Sequence, residues 1–151
     1  MKSVLFLGFL CCGLFLSAQI HVLNNFQLPI DTLTPGAVCT ASDPDLLGYS
    51  YIEKIARCNR NISLAEKLQV AHAYGDIPQS NWNNYEFDHL IPLCAGGSND
   101  IANLWPQPLD QAKKKDVIEL EVCKGLRDGT VTQNEAIKKV HDWFASLKTA
   151  N

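Results

Sequence analysis

The sequence predicts one small α+β domain, and three observations carry that expectation. Ser63 with Glu66, and Thr132 with Glu135, stand at capping-box spacing, where each pair satisfies free backbone donors at a helix start. Two short apolar runs flank a loop of turn residues, Ala95-Gly96-Gly97-Ser98-Asn99-Asp100, and read as strands. A further helical stretch follows the second run directly. No internal repeat or low-complexity tract is present.

The chain opens with Lys2, then an apolar run from Val4 to Leu16, then the small residues Ser17 and Ala18. That is the layout of a secretory signal peptide over residues 1–18, with cleavage before Gln19. The run is too short to span a bilayer comfortably, and no second one follows. The mature chain is therefore expected to be exported, periplasmic or secreted, with no membrane attachment and no evident obligate protein partner. Residues 19–48, punctuated by Pro29, Pro35, Gly36, Pro44 and Gly48, read as an extended arm over the domain that begins at 49 and runs to 151. Tyr49 to Cys58 reads as a short strand or turn.

The first helix is expected from Ser63, with Leu64, Leu68, Ala71 and His72 on its inner face and Gly75 and Pro78 ending it. Residues 76–84 read as a polar linker. The run Tyr85 to Leu93 reads as a strand, and Ile101 to Trp105 as a second, stopped by Pro106 and Pro108. A helix from Asp110 to Lys124 follows, with Val117, Leu120 and Cys123 expected inside and Gly125 as its cap. The last helix begins at Thr132 and carries an apolar stripe of Ile137, Val140, Phe144 and Leu147.

Without residues 1–18, the 13 Lys and Arg fall to 12 against 16 Asp and Glu, a formal charge of −4. This counts against broad electrostatic binding to nucleic acid. Any phosphate contact must come from a local patch or a metal ion. Four cysteines remain, Cys39, Cys58, Cys94 and Cys123. An even count in a small exported domain indicates two disulfides, with three connectivities open. The scattered spacing, with no C-x-x-C pair, disfavours a zinc site.

The chemistry is expected around Asp88 and His89, two polar groups inside an apolar run where burial without a partner is costly. A core salt bridge or hydrogen bond would compensate them; so would a metal or proton-transfer site. The segment YEFDHLIPLCAGGSNDIANLWPQP resembles the HNH endonuclease family, whose fold is the ββα-metal (His-Me) finger. It is most similar to small exported bacterial members carrying D-H-x-I-P-L-x-x-G-G-S-N-D-x-x-N-L-W-P, and the resemblance runs from Tyr85 to Glu119 with a ββα core at about 85–124. It implies a metal-dependent endonuclease acting on DNA, or RNA, with little sequence specificity.

By the same resemblance, His89 is the general base, a role that suits a group neutral near pH 7. Asp88 is the ligand of a divalent cation, Mg²⁺ with Mn²⁺ as the alternative, and a hard ion of this kind needs only one or two protein oxygens. Asn103 ties the two strands together and holds the base. At the third motif position, where the family places His or Asn, this chain has Gln111, with Asp110, Asp116 and Glu119 as substitutes nearby. Lys113, Lys114 and Lys115, joined by Arg57 or Arg60, are the candidate phosphate contacts; an exposed solubilising face is the plainer reading of the three lysines. The resemblance also implies the pairs Cys39–Cys58 and Cys94–Cys123. Neighbours on a regular strand point to opposite faces, so the strand must twist or end for Asp88 and His89 to serve one site. His72 reads as a packed histidine, Trp105 as core, His141 and Trp143 as exposed. The alternative to an enzyme is an exported non-catalytic binding domain on a degenerate scaffold, favoured by the acidic charge and by Gln111.

Overall fold

The computed structural model describes residues 28–149, so the expected signal peptide lies outside the described residues. The described residues form a small α+β domain with two antiparallel two-stranded sheets and three α-helices. Among the described residues no helix is long and apolar enough to cross a membrane.

Residues 28–45 form turns and extended stretches laid against the rest of the chain. Thr34 is buried, donating from Oγ1 to the Leu104 carbonyl at 2.9 Å and meeting the Tyr74 hydroxyl at 2.6 Å. Backbone bonds from Gly36 to Ala102, from Cys39 to Gly96 and from Ser98 to Ala37 pin this stretch to the glycine loop. It leads into β1 (Leu46–Ser50), which pairs antiparallel with β2 (Ile55–Cys58). A disulfide joins Cys39 to Cys58, and a second joins Cys94 to Cys123, with Cα atoms 5.8 and 5.5 Å apart. This is the pairing the resemblance implied.

Helix α1 (Leu64–Ala73) begins with the expected capping box of Ser63 and Glu66. Of the four residues expected on its inner face, Ala71 is buried and the other three are not. Val70, Ala71 and the capping residue Tyr74 are buried, whereas Leu64 and Leu68 are exposed, and so is His72, which bonds Asp76 at the surface. Partner geometry decides the face here: Tyr74 must reach Thr34 and Ile30, which rotates Leu64 and Leu68 outward.

A 3-10 helix at Gln79–Asn84 leads into β3 (Tyr85–His89), which pairs with β4 (Leu104–Pro108). The second strand therefore starts later than expected and runs through Pro106 and Pro108 instead of stopping at them. The reason lies in the register. Leu90 N–H donates to the Asn103 carbonyl, so the bonded pairs in step with it are Asp88–Trp105 and Glu86–Gln107. Pro106 and Pro108 fall between these, where an N–H would point away from β3 and is not needed.

Helix α2 (Leu109–Asp128) follows β4 at once, runs through Gly125, and is capped by Gly129 at φ +67°. Its buried stripe is Gln111, Lys115, Val122 and Leu126, while Val117 and Leu120 are exposed. The expected apolar face was thus misplaced, because the first half of the inner stripe is polar. Helix α3 (Gln133–Thr149) starts with the expected Thr132–Glu135 reciprocal bonds and buries Val140 and Phe144. Trp105 is fully buried, edge-on to Phe144 at 5.7 Å, at the centre of a core with Phe87, Leu104, Val122 and Val140.

Candidate functional site

The site is assembled at the end of β3, where the strand gives way to the glycine loop. Asn103 organises that loop. It is fully buried, accepts from Ile91 N–H at 2.8 Å, and donates to the carbonyls of Ile91 at 3.1 Å and Ser98 at 3.0 Å. One side chain therefore closes residues 91–98 onto the start of β4. Gly97 lies so close beneath it that a Cβ there would sit 1.9 Å from the Ile91 carbonyl oxygen. Gly96 turns the chain at φ +84°, a backbone that side chains resist.

Asp88 points toward α2. Its Oδ2 accepts from Lys115 Nζ at 2.6 Å, and Lys115 also donates to Glu119 at 3.1 Å. The Lys115 side chain is 1% exposed. Burial alone would lower its pKa, but the Asp88 and Glu119 carboxylates outweigh that and hold it above the ordinary lysine value. The ammonium is therefore charged, and its partners are what make its burial tolerable.

His89 lies in the opposite direction yet belongs to the same cluster. It is 2% exposed; Nε2 is 3.0 Å from Asn99 Oδ1 and Nδ1 is 3.3 Å from Arg60 Nη1. The same Arg60 nitrogen is 3.6 Å from Asp88 Oδ1, while Nη2 donates to Glu86 at 3.1 Å and to the Phe87 carbonyl at 2.8 Å. Arg60 thus bridges Asp88 and His89, two neighbours that leave β3 on different sides. Burial lowers the His89 pKa, with Arg60 and Lys115 adding to it, against the Asn99 bond and the Asp88 charge. The ring is neutral near pH 7. Burial beside Asp88 raises the Glu86 pKa, partly offset by Arg60 and Lys115.

Arg60 and Glu86 also form one wall of an open cleft of about 610 Å³, whose other walls include Lys67, Trp82, Tyr85 and Leu109. Arg60 is 43% exposed and lies between this cleft and His89. The three consecutive lysines do not share one environment: Lys113 and Lys114 are on the exposed side of α2, whereas Lys115 is buried against Asp88. Gln111 is buried one turn before Lys115 on the same face. Sequence reasoning missed Asn99, read only as part of a turn, and missed Asp45, whose carboxylate accepts from Asn99 at 2.8 Å.

Asp88 and Glu86 are oxygen donors of the kind a hard divalent ion takes while keeping most of its waters. On Asp88 the Lys115 ammonium takes the contact that such an ion would make. Lys115 has Glu119 as a second partner and can retain it when Asp88 is engaged elsewhere. Asp88 is paired with both Lys115 and Arg60, so a divalent ion would have to displace a cation to reach it. Among the described residues, the His, Cys, Asp and Glu ligand atoms gathered in a group of three within 4.8 Å are those of Cys39, Asp43 and Cys58. Those two sulfurs are bonded to each other, and the Asp43 carboxylate accepts from Thr40 N–H and Oγ1, so this group suits a metal only after reduction. No family model, curated protein or solved structure matches the chain.

Proposed function

We propose that this chain is an exported endonuclease of the HNH type, with a ββα-metal unit formed by β3, β4 and α2, that hydrolyses phosphodiester bonds in DNA or RNA with little sequence preference. The observation that carries the reading is His89: a buried, neutral imidazole at a strand end, flanked by the Asp88 carboxylate and the Arg60 guanidinium. Neutral histidine is the form that accepts a proton from an attacking water. Arg60 rests on the Nδ1 lone pair; a phosphate drawing the guanidinium to its oxygens would uncover that lone pair as substrate arrives.

Asp88, with Glu86 two residues before it and Gln111 on α2 as further oxygen donors, would hold the divalent ion, Mg²⁺ or Mn²⁺, and Lys115 would then keep Glu119 as its partner. When bound, the ion supplies charge neutralisation on the scissile phosphate and on the departing oxygen. Asn103 keeps the loop and strand end in place. Lys67 in the cleft and Lys113 and Lys114 on α2 offer phosphate contacts that the acidic net charge otherwise denies. Export is supported by the two disulfides and by the signal-like start of the sequence.

One observation favours a second reading, a binding domain without catalysis: Asp88 is already satisfied by Lys115. The two readings separate in one experiment. The oxidised chain from residue 19 is incubated with supercoiled plasmid, single-stranded DNA and RNA, in Mg²⁺, Mn²⁺ or EDTA, beside Asp88→Asn. Cleavage that needs metal and fails in the variant supports the nuclease. Retention of nucleic acid by the wild type in all conditions, without cleavage, supports the binding domain.

A further inference from the structure

We propose that Asn99 is the positioning residue of this site, fixing His89 as its Nε2–H tautomer so that the lone pair at Nδ1 faces Arg60. The donors and acceptors around the Asn99 amide fix its orientation. Asn99 Nδ2 lies 2.8 Å from the Asp45 carboxylate and 2.8 Å from the Asn59 carbonyl. Both are acceptors only, so the amide nitrogen must face them. Asn99 Oδ1 therefore faces the other way, where it accepts from Asn61 N–H at 3.3 Å. The remaining neighbour of that oxygen is His89 Nε2 at 3.0 Å. A carbonyl oxygen cannot donate, so Nε2 carries the hydrogen, and a neutral ring then has its lone pair on Nδ1.

A second neighbour agrees with this tautomer without fixing it, since Arg60 is half-exposed and shared with Glu86, Asp88 and the Phe87 carbonyl. A guanidinium has no acceptor, so Arg60 Nη1 at 3.3 Å from Nδ1 can only donate to a lone pair there. Turning the Asn99 amide over would set its NH₂ against the Asn61 N–H and its oxygen against the Asp45 carboxylate and the Asn59 carbonyl. Three of the four amide contacts would become repulsive, and the fourth would survive only with the ring hydrogen moved to Nδ1, against the Arg60 donor.

Four segments meet in this device: Asp45 before β1, Asn59 and Asn61 after β2, His89 at the end of β3, and Asn99 in the glycine loop. Asn99 is 6% exposed, so water does not readily replace these partners. The Cys39–Cys58 disulfide ties the arm to the residue preceding Asn59. The arm is thereby a working part of the site through Asp45. The consequence for turnover rests on the proposed nuclease reading; the tautomer does not.

The test uses the full oxidised protein labelled with ¹⁵N-histidine, at a pH where the rings are neutral. Two-bond ¹H–¹⁵N spectra report which nitrogen of each ring is protonated, and His89→Gln identifies the His89 signals. In the wild type, His89 is expected to show a protonated Nε2 and an unprotonated Nδ1. In Asn99→Ala, the ring is expected to average between tautomers. Plasmid cleavage by that variant is expected to fall on the order of 10–100-fold in kcat, with KM retained. A wild-type ring protonated at Nδ1 overturns the proposal without any variant. So does an unchanged Nε2–H ring in folded Asn99→Ala. If no nucleic acid is cut, the spectra still decide the role of Asn99, and only the nuclease reading fails.

Discussion

Replacing Lys115 by Met tests the electrostatics at the centre of the site. The substitution keeps an unbranched side chain of similar length in the packed position and removes the ammonium. Asp88, with a side chain 13% exposed, then loses its partner at 2.6 Å and keeps Arg60 at 3.6 Å. Removing one member of a buried ion pair costs about 3–5 kcal/mol, because the surviving charge is left in a poor solvent. Arg60 and the residual exposure place this case at the low end, about 3 kcal/mol. That is a large share of a domain stability of roughly 5–15 kcal/mol. Adding Asp88→Asn removes the stranded charge, so the double variant is expected to lose less than the sum of the single losses, with a coupling of about 2 kcal/mol. The assay is equilibrium unfolding in urea, in EDTA, with both disulfides intact. A loss below about 1 kcal/mol for Lys115→Met, or strict additivity in the double variant, would refute the view that this pair is buried and mutually dependent.

The competition between Lys115 and a divalent ion has its own readout: Mn²⁺ binding by calorimetry should tighten by about tenfold or more in Lys115→Met, and unchanged affinity would contradict it. His89 has a folded pKa below its unfolded value of about 6.5. The unfolded chain thus binds the proton first as pH falls, and His89 contributes stability above that value which is lost as pH drops through the folded pKa. Glu86, raised by burial, acts in the opposite sense at lower pH. Urea midpoints measured downward from neutral pH should fall more steeply for wild type than for His89→Gln; parallel curves would count against a buried neutral ring. Gly97→Ala places a Cβ against the Ile91 carbonyl and should cost about 3 kcal/mol in the same unfolding assay. Loss of the Cys39–Cys58 bridge in the paired Ser variant should cost about 3 kcal/mol and disturb the His89 ring signals, because Asn59, Asn61 and Arg60 follow Cys58 directly. Loss of Cys94–Cys123 should cost a similar amount and leave those signals in place.

Local signals made part of this fold legible. The two capping boxes placed the starts of α1 and α3, and the stripe of Val140 and Phe144 named the face of α3 that packs on Trp105. Helix α2 was misjudged because its inner stripe opens with Gln111 and Lys115, and periodicity arguments look for apolar residues inside. Polar groups take those positions where Asp88 needs a counter-charge, so the local rule fails at the candidate site itself. Pro106 and Pro108 misled for a different reason: proline is excluded only from the bonded positions of a ladder, and register is not visible in sequence. Asp88 and His89 could be singled out as polar residues in an apolar run. Their shared partner Arg60 lies 28 and 29 positions earlier, and Asp45 and Asn99 are 54 apart. Contacts at such separations follow from how loops close onto one another, and nothing in their composition announces them.

The proposed role of His89 is that of proton acceptor in a phosphodiesterase. It is tested most directly by the rate of plasmid nicking in Mg²⁺ for wild type and His89→Ala, purified alike and shown by circular dichroism to be equally folded. The expected result is metal-dependent nicking by the wild type and a rate lower by about 10²–10⁴-fold in the variant. Equal rates in the two proteins, or no nicking by folded wild type in Mg²⁺ or Mn²⁺, would contradict it.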